Sequence, residues 1–189
     1  MSRLWVTLAL VTSVRCVAQG PTVSQSMWDA AVRQVVRLKP AAFPELPKNL
    51  VAALQRRGCT IPQVPMIDGR HNVIKGEFSK PGQADWAALC SAGGVSSVLV
   101  FWNGSETNPA EIAKRNDVDR LQSWGGDRIV YSSAIAPVGR GYILEHYRAY
   151  GGEKPPAIDH EGIHDLFYGK ASEVLYFYRG RWLHLTGAD

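Results

Sequence analysis

Residues 72–104 read NVIKGEFSKPGQADWAALCSAGGVSSVLVFWNG, from Asn72 to Gly104, and their patterning decides the fold class. Val73, Ile74 and Phe78 mark one strand, Asp85 to Cys90 a second, and Ser97 to Trp102 a third. Pro81-Gly82 and Gly93-Gly94 punctuate the joints, and Asn103-Gly104 is a strong hairpin-turn signal. Asn103-Gly104-Ser105 also matches the N-glycosylation acceptor pattern, although the turn explains those residues without it.

Upstream, the apolar spacing becomes helical. Met27, Trp28, Ala31, Val32, Val35 and Val36 predict a helix with Ser24 or Ser26 as its N-cap, ending before Lys39-Pro40. A second helix carries Leu46, Leu50, Val51 and Leu54, with Pro47 in its first turn and Gly58 as its stop. The helical lead-in thus covers 24–58, and the Pro-rich stretch Ile61 to Pro65 leads to a β-rich part at 71–189. Downstream, Pro109 to Ala113 hints at a helical turn or two, while Asp127 to Ile135, Tyr142 to Tyr147, Val174 to Tyr178 and Trp182 to Leu185 read as β. Arg179-Gly180 forms the turn between the last two. Asp85 to Gly104 and Ile163 to Gly180 echo one another, each being strand, small-residue turn and an apolar run ending in a polar residue and glycine. No long linker or low-complexity tract divides residues 19–189, which read as a single domain.

The first eighteen residues have the order of an export signal: Arg3, the apolar run Leu4 to Val14, then Cys16-Val17-Ala18 before a cut near Ala18. A buried N-terminal strand or helix is the competing account. Arg15 is atypical for such a signal, and it stands where lipid attachment at Cys16 would want a small residue. Cleavage would remove two arginines and no acid, leaving 19 basic against 17 acidic residues. That balance argues against a nucleic-acid partner, and no mature segment is long and apolar enough to span a bilayer. Of three cysteines, Cys59 and Cys90 would remain, and in an exported chain an even pair predicts a disulfide. Closing a loop of about thirty residues contributes roughly 3–4 kcal/mol on chain-entropy grounds.

Gly76-Glu77-Phe78, Gly82, Asp85, Ala87, Leu89 and Ser97 to Phe101 resemble one blade of the FG-GAP/VCBS type of repeat found in secreted β-propellers. In that family the loop after the phenylalanine usually holds several calcium-binding aspartates. Here Ser79 to Asp85 has one carboxylate and a lysine, so the resemblance does not bring calcium with it. The wider pattern, Gly58-Cys59 ahead of this segment and a Trp-containing hairpin at the end, resembles small secreted bacterial proteins of no assigned activity.

His160-Glu161-Gly162-Ile163-His164 matches H-E-x-x-H, in which a helix sets two histidines one turn apart on one zinc and a glutamate activates the bound water. Pro155-Pro156 and Gly162 disfavour a helix, Asp165 places a charge on it, and Phe167 and Lys170 stand where the extended motif has glycine and histidine. Glu173 and His184 are the third-ligand candidates. The competing expectation is a turn, Asp159 to Gly162, opening a strand at Ile163. Tyr176-Phe177-Tyr178 with Trp182 is a candidate carbohydrate- or peptide-binding strand, one face of which should be core.

These observations predict an α+β fold: two N-terminal helices packed on a largely antiparallel β-sheet, with one disulfide, Cys59–Cys90. They point to a secreted or periplasmic, non-enzymatic binding or accessory domain with a protein or surface partner and no cofactor. The alternatives are a zinc-dependent hydrolase, with His160 and His164 as ligands and Glu161 as the catalytic base, and a structural component of an envelope assembly.

Overall fold

The computed structural model describes residues 24–125 and 127–188. The expected export segment, residues 1–18, lies outside the described residues. In chain order the elements are α1 (Gln25–Gln34), β1 (Arg37–Leu38), α2 (Lys48–Arg56), β2 (Ile61–Pro62), β3 (Val73–Gly76), β4 (Asp85–Ala92), β5 (Val95–Phe101) and β6 (Ala110–Asn116). A short 3-10 turn, Asp117–Arg120, leads to β7 (Leu121–Ser123), β8 (Ile129–Tyr131), β9 (Ser133–Val138), α3 (Arg140–Tyr150), β10 (Gly162–Phe167), β11 (Ala171–Tyr178) and β12 (Arg181–Thr186).

Two four-stranded antiparallel sheets dominate, in the spatial orders β3-β4-β5-β6 and β12-β11-β10-β9. Two-stranded pairs, β1-β2 and β7-β8, accompany them. The α+β expectation is therefore corrected. Among the described residues the chain is mostly β, and the helices do not lie together on one sheet.

The physical reason lies in β4 and β5, which are buried along almost their whole length. Such strands need cover on both faces. Trp86, Ala88, Cys90, Leu99 and Phe101 point outward into a core with Phe43, Leu46, Leu50 and Leu54 of α2 and its approach. Ala87, Leu89, Val98 and Val100 point the other way, against Ile135, Ile163 and Leu175 of the second sheet. The far face of that sheet, Val174, Tyr176, Leu183 and Leu185, packs under Ile143 of α3 and Ile158. The layers run α2, first sheet, second sheet, α3. Helix α1 leaves no residue fully buried and lies against β7 and β8 instead.

Two element assignments also change. Tyr142 to Tyr147 is helical, because Gly139 and Gly151 bracket the segment and Tyr142, His146 and Tyr150 stack at four-residue intervals, with ring centroids 3.9 and 6.0 Å apart. Pro109 to Ala113, expected as a helical turn or two, instead leads into and begins the edge strand β6, Ala110–Asn116. Asn103-Gly104 sits in a 3-10 turn within a longer loop, and β6 begins only at Ala110. Arg179 and Gly180 take φ of 50° and 81°, the paired positive values of a tight hairpin between β11 and β12. The two echoing segments occupy the second and third strands of their respective sheets.

The Cys59–Cys90 disulfide joins the chain three residues past the end of α2 to β4, with Cα atoms 5.1 Å apart. Asn72, fully buried, ties the two sheets: its side-chain amide donates to the carbonyls of Pro62 and Ser133 and accepts from the Ile135 N–H.

Candidate functional site

The H-E-x-x-H residues lie where α3 and the loop before β10 meet the second sheet. Gly162 begins a strand, so the histidines lack the single helical turn that a shared zinc requires. Four residues of extended chain span up to roughly 13 Å. Each ring has its own partners. His160 stacks on Tyr176, centroids 4.3 Å apart and planes at 6°, and its Nδ1–H donates to the Glu161 carbonyl at 2.9 Å. His164 Nε2 lies 2.9 Å from the Tyr142 hydroxyl. Burial, with His146 close by, pushes the His164 pKa down to about 4. Glu161 bridges the sheets: its carboxylate accepts the Glu77 N–H and its own N–H donates to the Glu77 carbonyl. Glu173 and His184, the candidate third ligands, hold each other at 2.7 Å on the opposite face of the sheet from His164. Among the described residues no three His, Cys, Asp or Glu side chains converge in a way that would hold a metal.

Asp85, the one carboxylate of the loop that resembles a blade, is fully buried. It accepts from the N–H groups of Phe78, Ser79 and Asn103, the Ser79 hydroxyl and the Gln83 amide. Its work is to close residues 78–83 onto the first sheet.

The aromatic candidates separate as strand alternation requires. Tyr176 is core on the α3 side, and its hydroxyl donates to Asp159. Phe177 and Trp182 turn to the other face and meet Trp102, the residue just after β5, at 4.9 and 5.8 Å. These three rings are half-buried and seal the margin between the sheets.

The polar groups between the sheets are of another kind. On β10 and β11, Asp165 and Glu173 are direct cross-strand partners. Their face looks toward β6 and the 3-10 turn, which contribute Arg115 and Arg120. Arg120 is fully buried, and its Nη1 lies 3.6 Å from Asp165 Oδ1, an ion pair too long for a hydrogen bond. Its Nη2 donates to the Ala113 carbonyl, while Nε and Nη1 find no hydrogen-bond partner. Asp165 is 6% exposed, and its Oδ2 has no hydrogen-bond partner. Burial raises the Asp165 pKa and the Glu173 charge adds to that, against the opposing pull of Arg120 and Arg115. Asp165 and Glu173 line a cavity of about 170 Å³ with Arg115, Ser133, Ser172 and Phe167. Arg115 reaches Glu173 at 3.4 Å across the mouth.

Nearby Asp117 differs. Burial works against its ionisation, but the hydroxyls of Ser91 and Ser96 and the Arg37 guanidinium outweigh this and hold its carboxyl below the usual range. Sequence reasoning missed Arg115 and Arg120 altogether and met Asp165 only as an argument against a metal helix. Nothing local marks them, because the pairing of two separate sheets brings them together.

No protein-family model, curated protein or solved structure matches the chain.

Proposed function

We propose that the protein is an exported, non-enzymatic binding or accessory module, acting in the periplasm or outside the cell after cleavage near Ala18. The Arg-apolar-small order of residues 1–18 supports export, and the Cys59–Cys90 bridge suits an oxidising compartment. No helix among the described residues is long and apolar enough to cross a membrane. One observation carries the binding reading: a cleft of about 170 Å³ opens between β6 and the second sheet, whereas Glu161, His160 and His164 are engaged in holding the fold.

Protein purified from the extracytoplasmic fraction should begin near Gln19 by mass spectrometry. It should carry no stoichiometric zinc and turn over no chromogenic peptide, ester or phosphate substrate. One zinc per chain, lost together with hydrolysis in His160→Ala or Glu161→Gln, would restore the hydrolase reading. A cytoplasmic, uncleaved protein would remove the export half of the proposal.

A further inference from the structure

We propose that the hollow between β1 and the loop at 63–71 binds a small monocarboxylate with an alkyl or aryl tail. This hollow shares no lining residue with the cleft at β6, and the inference holds whether or not that cleft is used.

The walls come first. Val36, Leu38, Val64, Pro65 and Ile67 line a cavity of about 290 Å³. Val36 is 59% exposed, a bulky apolar side chain that the fold leaves in water at the rim. The loop side is fixed before any ligand arrives. The Gln63 side-chain amide accepts the His71 N–H and donates to the His71 carbonyl, while the Val64 N–H donates to His71 Nε2 at 2.7 Å. The Gln63 N–H donates to the Val36 carbonyl, which joins the loop to the chain entering β1. A pre-formed, mostly apolar hollow with few polar groups is what a small-molecule site requires.

Charge selects the occupant. His71 lines the hollow with both ring nitrogens spent, because its Nδ1–H donates to the Gly69 carbonyl. Burial lowers its pKa, against the opposing Gly69 bond, and keeps the ring neutral. Gln63 is spent in the same way, which leaves Arg70 as the charged group on the wall. Arg70 is exposed and, among the described residues, makes no ion pair. No carboxylate lines the hollow, so a cationic ligand would meet Arg70 with nothing to offset it. A phosphate would set further charge against apolar walls, at a cost in desolvation. A single carboxylate matches the planar guanidinium with two parallel N–H···O bonds. Volume sets the length of the tail. At water's share of about 30 Å³, the cavity holds about ten non-hydrogen atoms. The carboxylate sits at Arg70, and the tail lies along Val36, Leu38 and Ile67.

The test is NMR titration of isotope-labelled mature protein with phenylacetate and hexanoate. Acetate lacks the tail, phenylethanol lacks the charge, and phenethylamine reverses it. Phenylacetate should give saturable shifts centred on Val36, Ile67 and Arg70. Arg70→Ala should weaken it by about tenfold, and Arg70→Lys, which keeps the charge without the fork, by less. Val36→Ser should weaken it several-fold. Both positions are exposed, so the variants keep the fold, seen as unchanged shifts elsewhere. The inference falls if neither acid binds, if acetate, phenylethanol or phenethylamine binds as tightly as phenylacetate, or if Arg70→Ala leaves the affinity unchanged. Tighter binding of acetyl-Gly-Phe would make the occupant the C-terminus of a protein and overturn the small-molecule assignment. Shifts at Val36 that grow with protein concentration alone would make this face a contact between copies, and overturn it equally.

Discussion

Gly162 stands at the centre of the H-E-x-x-H run for a reason of packing. A Cβ added there would lie 2.6 Å from Val174 Cγ1 and 3.3 Å from the Leu175 carbonyl. Gly162→Ala should therefore destabilise the protein by about 1–3 kcal/mol, the usual cost of overpacking, seen as a lower urea midpoint. His164, two residues on, makes stability depend on pH. Its folded pKa, pushed down to about 4, lies below the ordinary 6.5 because burial and His146 both disfavour the charged ring. Between these values the unfolded chain binds the extra proton. The contribution is thus fully present above about pH 6.5 and is lost as the pH falls toward 4. At about 1.4 kcal/mol per unit, the loss is bounded at roughly 3 kcal/mol. Urea midpoints at pH 7.5 and 4.5 should differ accordingly in the wild type and much less in His164→Gln. A pH-independent wild type would mean that the ring is hydrated in the folded state.

At the scale of elements, what the sequence disclosed depended on whether a segment's environment was one-sided. Helix α2 buries a single stripe, Leu50, Ala53 and Leu54, so its period was plain and Gly58, at φ 70°, ended it as expected. The central strands were plain too, since few residues in β4 and β5 escape burial. Residues 142–147 misled because Tyr142, Ile143, His146 and Tyr147 mix aromatic and apolar side chains in a way that suits a strand. Only Ile143 of α3 is fully buried, so the helical period was nearly silent. Residues 110–116 misled for the opposite reason: β6 is an exposed edge strand whose polarity hides its alternation. The disulfide acts at this scale, tying α2 to β4 across 31 residues. Reduction, or Cys59→Ala with Cys90→Ala, should lower stability by about 3–4 kcal/mol through the freed unfolded chain. Hydrogen exchange should show protection lost first in 48–58, because the bridge anchors that end of the helix. An unchanged urea midpoint on reduction would show the bridge to be dispensable.

For the molecule as a whole, the decisive event is the meeting of two sheets, and no single stretch announces it. Alternation within β4 and β5 states that both faces are covered, but not that one cover is a second sheet of similar build. The candidate site inherits this limit: Arg115 and Arg120 come from the first sheet's margin, Asp165 and Glu173 from the second. The buried pair Arg120–Asp165 tests whether that junction is there for stability or for something else. Removing one partner, in Arg120→Met or Asp165→Leu, leaves a charge buried and alone, and should cost about 3–5 kcal/mol. Removing both should restore most of it, because two well-packed apolar chains replace two desolvated charges that are 3.6 Å apart and lack a mutual hydrogen bond. The double-mutant cycle, read from urea unfolding, should thus show strong coupling with a double mutant near wild-type stability. A double mutant as unstable as the sum of the singles would make the pair a prop of the fold. Stability regained in the double mutant is the outcome that shows the junction is not kept for stability alone.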